Sequence, residues 1–258
     1  MPGFCRSRSS CSQRTSPSDG FPEFLRFEPE PQVLLRVWGW PEELIEPPPD
    51  IQPPMTPPPK PVPPPGLNWT HTPPAGWVND DSQVPGAGDP NTDGVTEWAG
   101  WSVVNKDWWV KVAEDQKRSE FVSGEGAVAV ADPDEWDDMD HPEGLFNAFL
   151  STPPINIAGA DAGSLQLIFD SSWRQEASQT ASVTVQYDGG DPVVVLLWPS
   201  EGDSPAAFKA DATNEDVTVN LSNPAGAKTM VITFGLTDAG NNWWWAIDNI
   251  EVIGAFGK

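Results

Sequence analysis

Cysteine and histidine are scarce in this sequence, and their positions exclude several kinds of active site. Only Cys5 and Cys11 are cysteines, so the region from residue 67 onward has no disulfide, no thiol nucleophile and no cysteine-ligated zinc. His71 and His141 are the only histidines, and neither stands in a paired-histidine metal motif. Nucleophile-elbow and phosphate-binding P-loop motifs are also absent. We therefore predict that the chain is not an enzyme. The alternative is a carboxylate- or metal-dependent hydrolase that uses carboxylate pairs alone.

Basic residues are few as well, and this limits the partners that the chain can bind. The sequence has 14 Lys and Arg against 38 Asp and Glu, which gives a net charge of −24. Nucleic acids and anionic membrane surfaces are bound through Lys and Arg, so we expect neither as a partner. No apolar run is long enough to span a bilayer, and no signal peptide is visible in Met1–Pro17. The acidity is typical of a secreted, extracellular or cell-surface protein.

The distribution of proline and tryptophan divides the chain into three parts. Residues 1–66 hold 18 of the 30 prolines, and 12 of them lie within residues 47–65. Because proline fixes φ and lacks an N–H, this tract favours polyproline II over a sheet. Residues 67–258 hold 12 of the 14 tryptophans and 30 of the 38 acids. We predict an N-terminal arm over 1–46 that is disordered or docks on a partner, a polyproline linker over 47–66, and a β-sandwich domain over 67–258.

Short β-rich runs separated by turn residues fill the third part. Several runs alternate apolar and polar residues, as a strand with one buried face must. Asp188–Pro192, with sequence DGGDP, is typical of a hairpin turn, and Asp107–Glu120 is the best helical segment. This spacing predicts an all-β fold, an antiparallel two-sheet jelly-roll sandwich. The predicted strands are Ala127–Ala131, Leu165–Asp170, Ser182–Tyr187, Pro192–Trp198, Val217–Leu221, Thr229–Phe234 and Trp244–Val252.

Clusters of carboxylates predict a structural calcium ion. Residues 132–138 hold five acids directly after a predicted strand, and Ca²⁺ takes six to eight oxygen ligands. A solvated acidic loop is the alternative. Residues 89–94 match the opening of an EF-hand loop, although Gly100 replaces the glutamate at its twelfth position, so a plain turn is equally compatible. A carboxylate in the apolar last strand also requires a partner. The candidate ligands are Asp132, Asp134, Asp137, Asp138, Asp248, Asp89, Asn91 and Asp93.

Tryptophans gather in two segments, residues 98–109 and 243–245. Adjacent residues in a strand point to opposite faces, so at least one face of the second group is expected to lie outside the core. An exposed indole can stack on the apolar face of a sugar ring, whereas a buried indole belongs to the core. The candidate ligand-binding residues are Trp98, Trp101, Trp108, Trp109, Trp243 and Trp245.

The last predicted strand, Trp245–Val252, resembles the closing strand of galactose-binding-like and MAM-like jelly rolls. Further segments resemble an accessory domain of secreted bacterial metallophosphoesterases and nucleases: Asp93–Trp98, Gly100–Ser102, Asp107–Trp109, Ala129–Asp138, Phe169–Arg174 and Gln186–Gly190. The metal-ligand motifs of the phosphoesterase catalytic domain are absent. The resemblance therefore implies a jelly-roll accessory module without activity. By analogy, it also implies a structural calcium at Asp248 and at Asp132 or Asp134.

Together these features predict a non-catalytic extracellular binding or adhesion module with structural calcium, whose partner is a glycan or a cell-surface polymer. A second hypothesis is a structural subunit of a larger assembly, in which the tryptophan-rich face and the N-terminal arm bind another protein. A third is a hydrolase or its accessory domain. An open tryptophan platform distinguishes the first hypothesis from the other two.

Overall fold

The structure is a computed structural model that describes residues 68–87, 98–202 and 208–257, together with the backbone of Val33–Arg36. Its described strands are β1 Val33–Arg36, β2 Trp69–Thr70, β3 Val78–Gln83, β4 Trp101–Asn105, β5 Ala127–Ala131, β6 Phe146–Ser151, β7 Ile155–Asn156, β8 Gln166–Trp173, β9 Thr180–Tyr187, β10 Val193–Pro199, β11 Ala212–Asn220, β12 Thr229–Ala239 and β13 Trp245–Gly254. Its helices are α1 Lys106–Val112, a 3-10 turn Arg118–Glu120 and α2 Pro133–Asp137. No described helix is long and apolar enough to cross a membrane.

These strands form two antiparallel sheets that pack face to face. The seven-stranded sheet has the order β11-β8-β13-β5-β4-β2, with β1 also paired to β13. The six-stranded sheet has the order β10-β9-β12-β6-β3, with β7 also paired to β12. The prediction of an all-β, two-sheet antiparallel jelly-roll sandwich is confirmed.

Alternating burial along the strands shows how the sequence produces this sandwich. In β9, Ala181, Val183 and Val185 are fully buried, whereas the residues between them are half-buried. This is the period of two that a strand with one core face requires. At the predicted hairpin, Asp188 and Gly189 have φ of 48° and 73°, and a type I′ turn needs positive φ at both of its central residues.

Aromatic residues from both sheets meet at Trp245 in the middle of the core. Its ring contacts Phe169 of its own sheet, and it contacts Phe234 and Trp198 of the facing sheet. The indole Nε1 donates a 3.0 Å hydrogen bond to Ser171 Oγ, so this buried polar atom has an acceptor. Trp245 therefore fixes how the two sheets pack.

We expect Ser171→Ala to lower the free energy of unfolding by about 1–3 kcal/mol, because it leaves the buried Trp245 N–H without an acceptor. Denaturant unfolding of the variant and the wild type measures this. Ser182→Ala, at a half-buried position on the outer face of the other sheet, is the control and should change it by less than about 0.5 kcal/mol. Equal effects of the two substitutions would show that the indole hydrogen bond contributes nothing.

Candidate functional site

The structure places most of the predicted tryptophan platform in the core. At most 2% of the surface of Trp101, Trp109 and Trp245 is exposed, and 5% of Trp98 is exposed. None of these rings can therefore stack on a sugar ring. The prediction of an open platform is therefore corrected for these four residues. Trp108, which stacks on Trp98 at 5.8 Å, and Trp243 are only partly buried, and each keeps some exposed surface.

Trp244 and Trp245 are both fully buried, although the alternation of the strand predicts that one face of this group lies outside the core. Trp244 and Trp245 do point to opposite sides of the seven-stranded sheet, and each donates to a serine of β8, Ser172 and Ser171 respectively. The outer side is nevertheless closed, because Trp109 from α1 packs edge-on against Trp244 at 5.8 Å. Both faces of this strand end are therefore core.

A fully buried arginine forms ion pairs with three carboxylates of the acidic segment after β5. Arg118 Nε and Nη2 donate to the two carboxylate oxygens of Asp132, each at 3.0 Å. Nη2 also lies 3.0 Å from Asp134 and 3.2 Å from Glu135. Nη1 donates to Ala113 O and to the side chain of Gln116. We call Arg118, Asp132, Asp134 and Glu135 the Arg118 cluster. Arg118 thus gives Asp132 and Asp134 a positive partner within the protein, and calcium at these two residues stays a prediction.

The Arg118 cluster also joins α1 to the sheet. Asp132 accepts a 2.7 Å hydrogen bond from Trp109 Nε1, and the guanidinium carbon lies 4.5 Å from the ring centroid of Trp244. The chain reaches Arg118 through four consecutive non-glycine residues with positive φ, Glu114 to Lys117. Such backbone costs energy at every residue, so the bonds of Arg118 must offset it.

The other predicted calcium ligands are separated in the structure. Asp137 lies 3.3 Å from His141, and Asp138 ends α2, where its N–H donates to Asp134 O. Asp248 is fully buried and accepts a hydrogen bond from the Glu125 N–H. Among residues 68–87, 98–202 and 208–257, no group of three or more Asp, Glu, His or Cys is arranged to hold a metal ion. Asp89, Asn91 and Asp93 lie outside the described residues, and calcium at any of the candidate residues stays a prediction.

Three aspartates form a row across neighbouring strands of the seven-stranded sheet. The register places Asp216 of β11 opposite Asp170 of β8, and Asp170 opposite Asp248 of β13. Burial raises the pKa of Asp170 to about 6, and its hydrogen bond with Asp216 adds to this. Asn249 Nδ2 donates to Asp170 at 2.7 Å and acts in the opposite direction. The row therefore retains a proton at mildly acidic pH.

The outer face of the six-stranded sheet carries an aromatic side chain among hydroxyl and aliphatic side chains. Phe149 of β6 alternates with the buried Ala148 and Leu150, so its ring lies on the outer side. It is paired with Gly235 of β12, and a Cβ at Gly235 would lie 2.9 Å from Phe149 Cδ1 and 3.0 Å from Ser182 Oγ. The glycine therefore lets the phenyl ring lean across the middle of the sheet instead of standing away from it.

Two rows of side chains cross this outer face through all five main strands. The register that pairs these strands defines both rows. Four strand spacings of about 4.8 Å give a surface about 19 Å long. The first row is Leu197, Ser182, Gly235, Phe149 and Asp80, and the second is Val194, Thr184, Thr233, Ser151 and Val78.

The composition of these rows favours a neutral polar ligand. Ser151 and Thr233 hydroxyls are 2.8 Å apart, and a hydroxyl both donates and accepts hydrogen bonds. Asp80, at the β3 edge beside Phe149, is the only charged side chain in either row, and it accepts from Ser82. No single residue type in this part of the sequence marked the site. Its signal was the alternation Phe146-Asn-Ala-Phe149-Leu-Ser151, which lies at the end of a segment that reads as a loop.

We expect Arg118→Met to lower the free energy of unfolding by about 3–5 kcal/mol, because it leaves the fully buried Asp132 without its positive partner. Denaturant unfolding at pH 7 measures the change. Arg174→Met is the matched control: Arg174 is half-buried, its guanidinium lies 3.5 Å from the Trp243 ring and donates to Gln116 O, and it pairs with no carboxylate of the described residues. If the two variants lose equal stability, the Arg118 cluster is not the feature that holds α1 to the sheet.

The stability of the fold should fall as pH rises from about 4 to 7. Burial, followed by the charge of Asp132, raises the pKa of Glu135 to about 7, and the pKa of Asp170 is raised to about 6. When the pKa of a carboxyl group is higher in the folded state than in the unfolded state, the group stabilises the fold at pH values below its pKa in the unfolded state. This stabilisation is lost as the pH rises through the pKa of the folded state. We expect Asp170→Asn and Glu135→Gln each to flatten this fall. Urea midpoints measured from pH 4 to 8 test it, and unchanged slopes in both variants would contradict it.

No family model and no curated protein sequence matches the chain. Among solved structures, the K1 cleaved adhesin domain of Lys-gingipain from Porphyromonas gingivalis W83 is similar, with 19% identity, a TM-score of 0.43, and coverage of 71% of this chain and 93% of that one. TmCBM61 in complex with β-1,4-galactotriose is similar with 14% identity, a TM-score of 0.39, and coverage of 70% and 90%. The family 11 carbohydrate-binding module of the cellulase Lic26A-Cel5E of Clostridium thermocellum has 16% identity, a TM-score of 0.28, and coverage of 74% and 91%. These structural neighbours are an adhesin domain and carbohydrate-binding modules, and no family model or curated relative confirms a metallophosphoesterase context.

Proposed function

We propose that this protein is a non-catalytic extracellular or cell-surface module that binds a neutral glycan, and that the ligand lies on the outer face of the six-stranded sheet. The observation that carries the proposal is the phenyl ring of Phe149 leaning over Gly235 in the middle of that face. A half-buried aromatic ring gives a flat apolar surface, and the hydroxyls around it supply donors and acceptors. These are the two kinds of contact that a sugar ring requires.

The rigidity of the face supports binding without rearrangement. Every outward side chain in the two rows stands on a strand that is hydrogen-bonded to its neighbours, except at the two sheet edges. Ser151 and Thr233 hold each other in place. A surface that is already ordered loses little entropy when a ligand binds. A non-catalytic binding module needs this property more than a reactive group.

Charge selects among glycans. The described residues of both rows include no Lys or Arg, and Asp80 is the one charged member. The chain as a whole carries a net charge of −24. Sulfated and uronate-rich polymers would therefore be repelled, whereas a neutral polymer would not. Asp80 can accept hydrogen bonds from sugar hydroxyls at the end of the first row.

We expect Phe149→Ala to weaken binding to a neutral polysaccharide by about tenfold or more, which corresponds to about 1.4 kcal/mol, because the stacking surface is lost. Affinity electrophoresis against galactan, mannan, mixed-linkage glucan and polygalacturonate measures it, with unfolding curves to confirm that the fold is intact. Gly235→Ala should weaken binding as well, since its Cβ displaces the ring without removing it.

Trp108→Ala is the control, because it removes a partly exposed aromatic side chain of α1, which follows β4 of the other sheet. We expect it to leave affinity unchanged. Loss of binding in Trp108→Ala, with retention in Phe149→Ala, would move the site to the tryptophans. Tightest binding to polygalacturonate would refute the neutral ligand, and release of reducing ends from any substrate would refute a module without catalysis.

A further inference from the structure

The last strand of the sandwich has an edge that is shared between two partners. Along one side, β13 pairs with β8 over nearly its whole length. On the other side, β5 pairs only with Trp245–Ile247. Beyond an irregularity between Asp248 and Glu251, where Asn249 has φ of 49°, β1 takes over and pairs with Glu251–Gly254. Strand β1, which lies far upstream in the sequence, thus pairs with the part of the β13 edge that β5 does not cover.

Backbone pairing alone defines this contact. The register is Val33 opposite Gly254, Leu34 opposite Ile253, Leu35 opposite Val252, and Arg36 opposite Glu251. An unpaired strand edge is a template for any extended segment, and main-chain hydrogen bonds supply much of the affinity. The edge of β13 from Glu251 to Gly254 is therefore a strand-acceptor site, and the sequence Val-Leu-Leu-Arg is a segment that fits it.

The segment of chain between β1 and β2 has more residues than it needs to cover the distance between these two strands. β1 lies in the position next to β13 that β5 occupies further along, and β2 lies two strands beyond β5. Two strand spacings amount to about 10 Å across the sheet. Between them, the sequence of residues 47–65 has 12 prolines and favours polyproline II, whose expected extended length at about 3.1 Å per residue is about 60 Å. A linker of that expected length is much longer than its span, which lowers the effective concentration of β1 at its own edge.

We propose that β1 exchanges between molecules, so that the Val33–Arg36 strand of one copy pairs with the Glu251–Gly254 edge of a second copy. Exchange replaces each backbone contact by an identical one, and the proline tract becomes the spacer between two domains. The surface is thus an interaction site whose partner is a second copy of this chain. The proposal does not rest on glycan binding.

Charge favours exchange over direct contact between domains. Residues 67–258 hold 30 acids and 8 basic residues, so two such domains repel each other at close range. A spacer of about 60 Å is many times the Debye length of about 8 Å at physiological ionic strength. Strand β10 offers the competing route, because it is the outermost strand of the six-stranded sheet among the described residues and carries exposed Val194 and Leu197 and no charge. That route would bring the acidic domains together and would strengthen with salt.

A cross-linking experiment on the full chain tests the exchange. Two variants, both with Cys5→Ser and Cys11→Ser, carry Leu34→Cys in one and Ile253→Cys in the other. Opposite residues in an antiparallel pair have Cα atoms about 4.5–5.5 Å apart, which suits a disulfide. After the variants are mixed, incubated and oxidised, we expect a disulfide-linked heterodimer at least about tenfold more abundant than with a Val78→Cys partner. Val78 is the control because it is 57% exposed on the other sheet.

Several results would overturn the exchange. Leu34→Cys and Ile253→Cys placed in one chain, with a cross-link only within that chain and none in the mixture, would show that β1 stays in its own copy. Equal yields with Ile253→Cys and Val78→Cys would show random collision. A dimer that forms without the cross-link, that strengthens in high salt and that Leu197→Glu abolishes would assign association to the β10 edge instead.

Discussion

The buried ion pairs of Arg118 decide which surfaces of the sandwich are open. One guanidinium faces Asp132, Asp134 and Glu135 and lies over the ring of Trp244, so it joins the segment after β4 to the outer side of the seven-stranded sheet. Removing the positive charge from such a buried group lowers the free energy of unfolding far more than breaking an ion pair on the surface does. With Trp109 beside it, Arg118 turns one end of an exposed sheet face into core. The strained turn from Glu114 to Lys117 is tolerated for the same reason.

The outer face of the six-stranded sheet carries two rows of side chains in which Asp80 is the one charged member. On it, Gly235 gives up its own side chain so that Phe149 can lean over the sheet. Among the described residues, three aspartates gather on the other sheet, in the row formed by Asp216, Asp170 and Asp248. A neutral recognition surface on a strongly acidic protein is consistent with selection against charged polymers.

Most of the fold could be predicted from the patterns of residues in the strands. The side-chain partners that form the candidate site could not be predicted in this way. Ala127–Ala131 and the hairpin at Asp188–Pro192 could be located because period-two alternation and turn chemistry are local properties. The partner of Asp132 could not be located in this way, because Arg118 reaches it through a turn of unusual backbone that no local pattern announces. A carboxylate cluster reads the same in the sequence whether a metal ion or an arginine neutralises it. In the same way, a Trp-rich segment does not show which of its rings another element will cover.

Backbone amide NMR during titration with a neutral oligosaccharide locates the proposed binding site on the outer face of the six-stranded sheet. If the ligand binds there, the largest chemical-shift changes fall on Phe149, Gly235, Ser182, Thr233 and their neighbours in the two rows, and they saturate together. Changes that instead centre on Trp108 and Trp243, or on the strands of the other sheet, would contradict it.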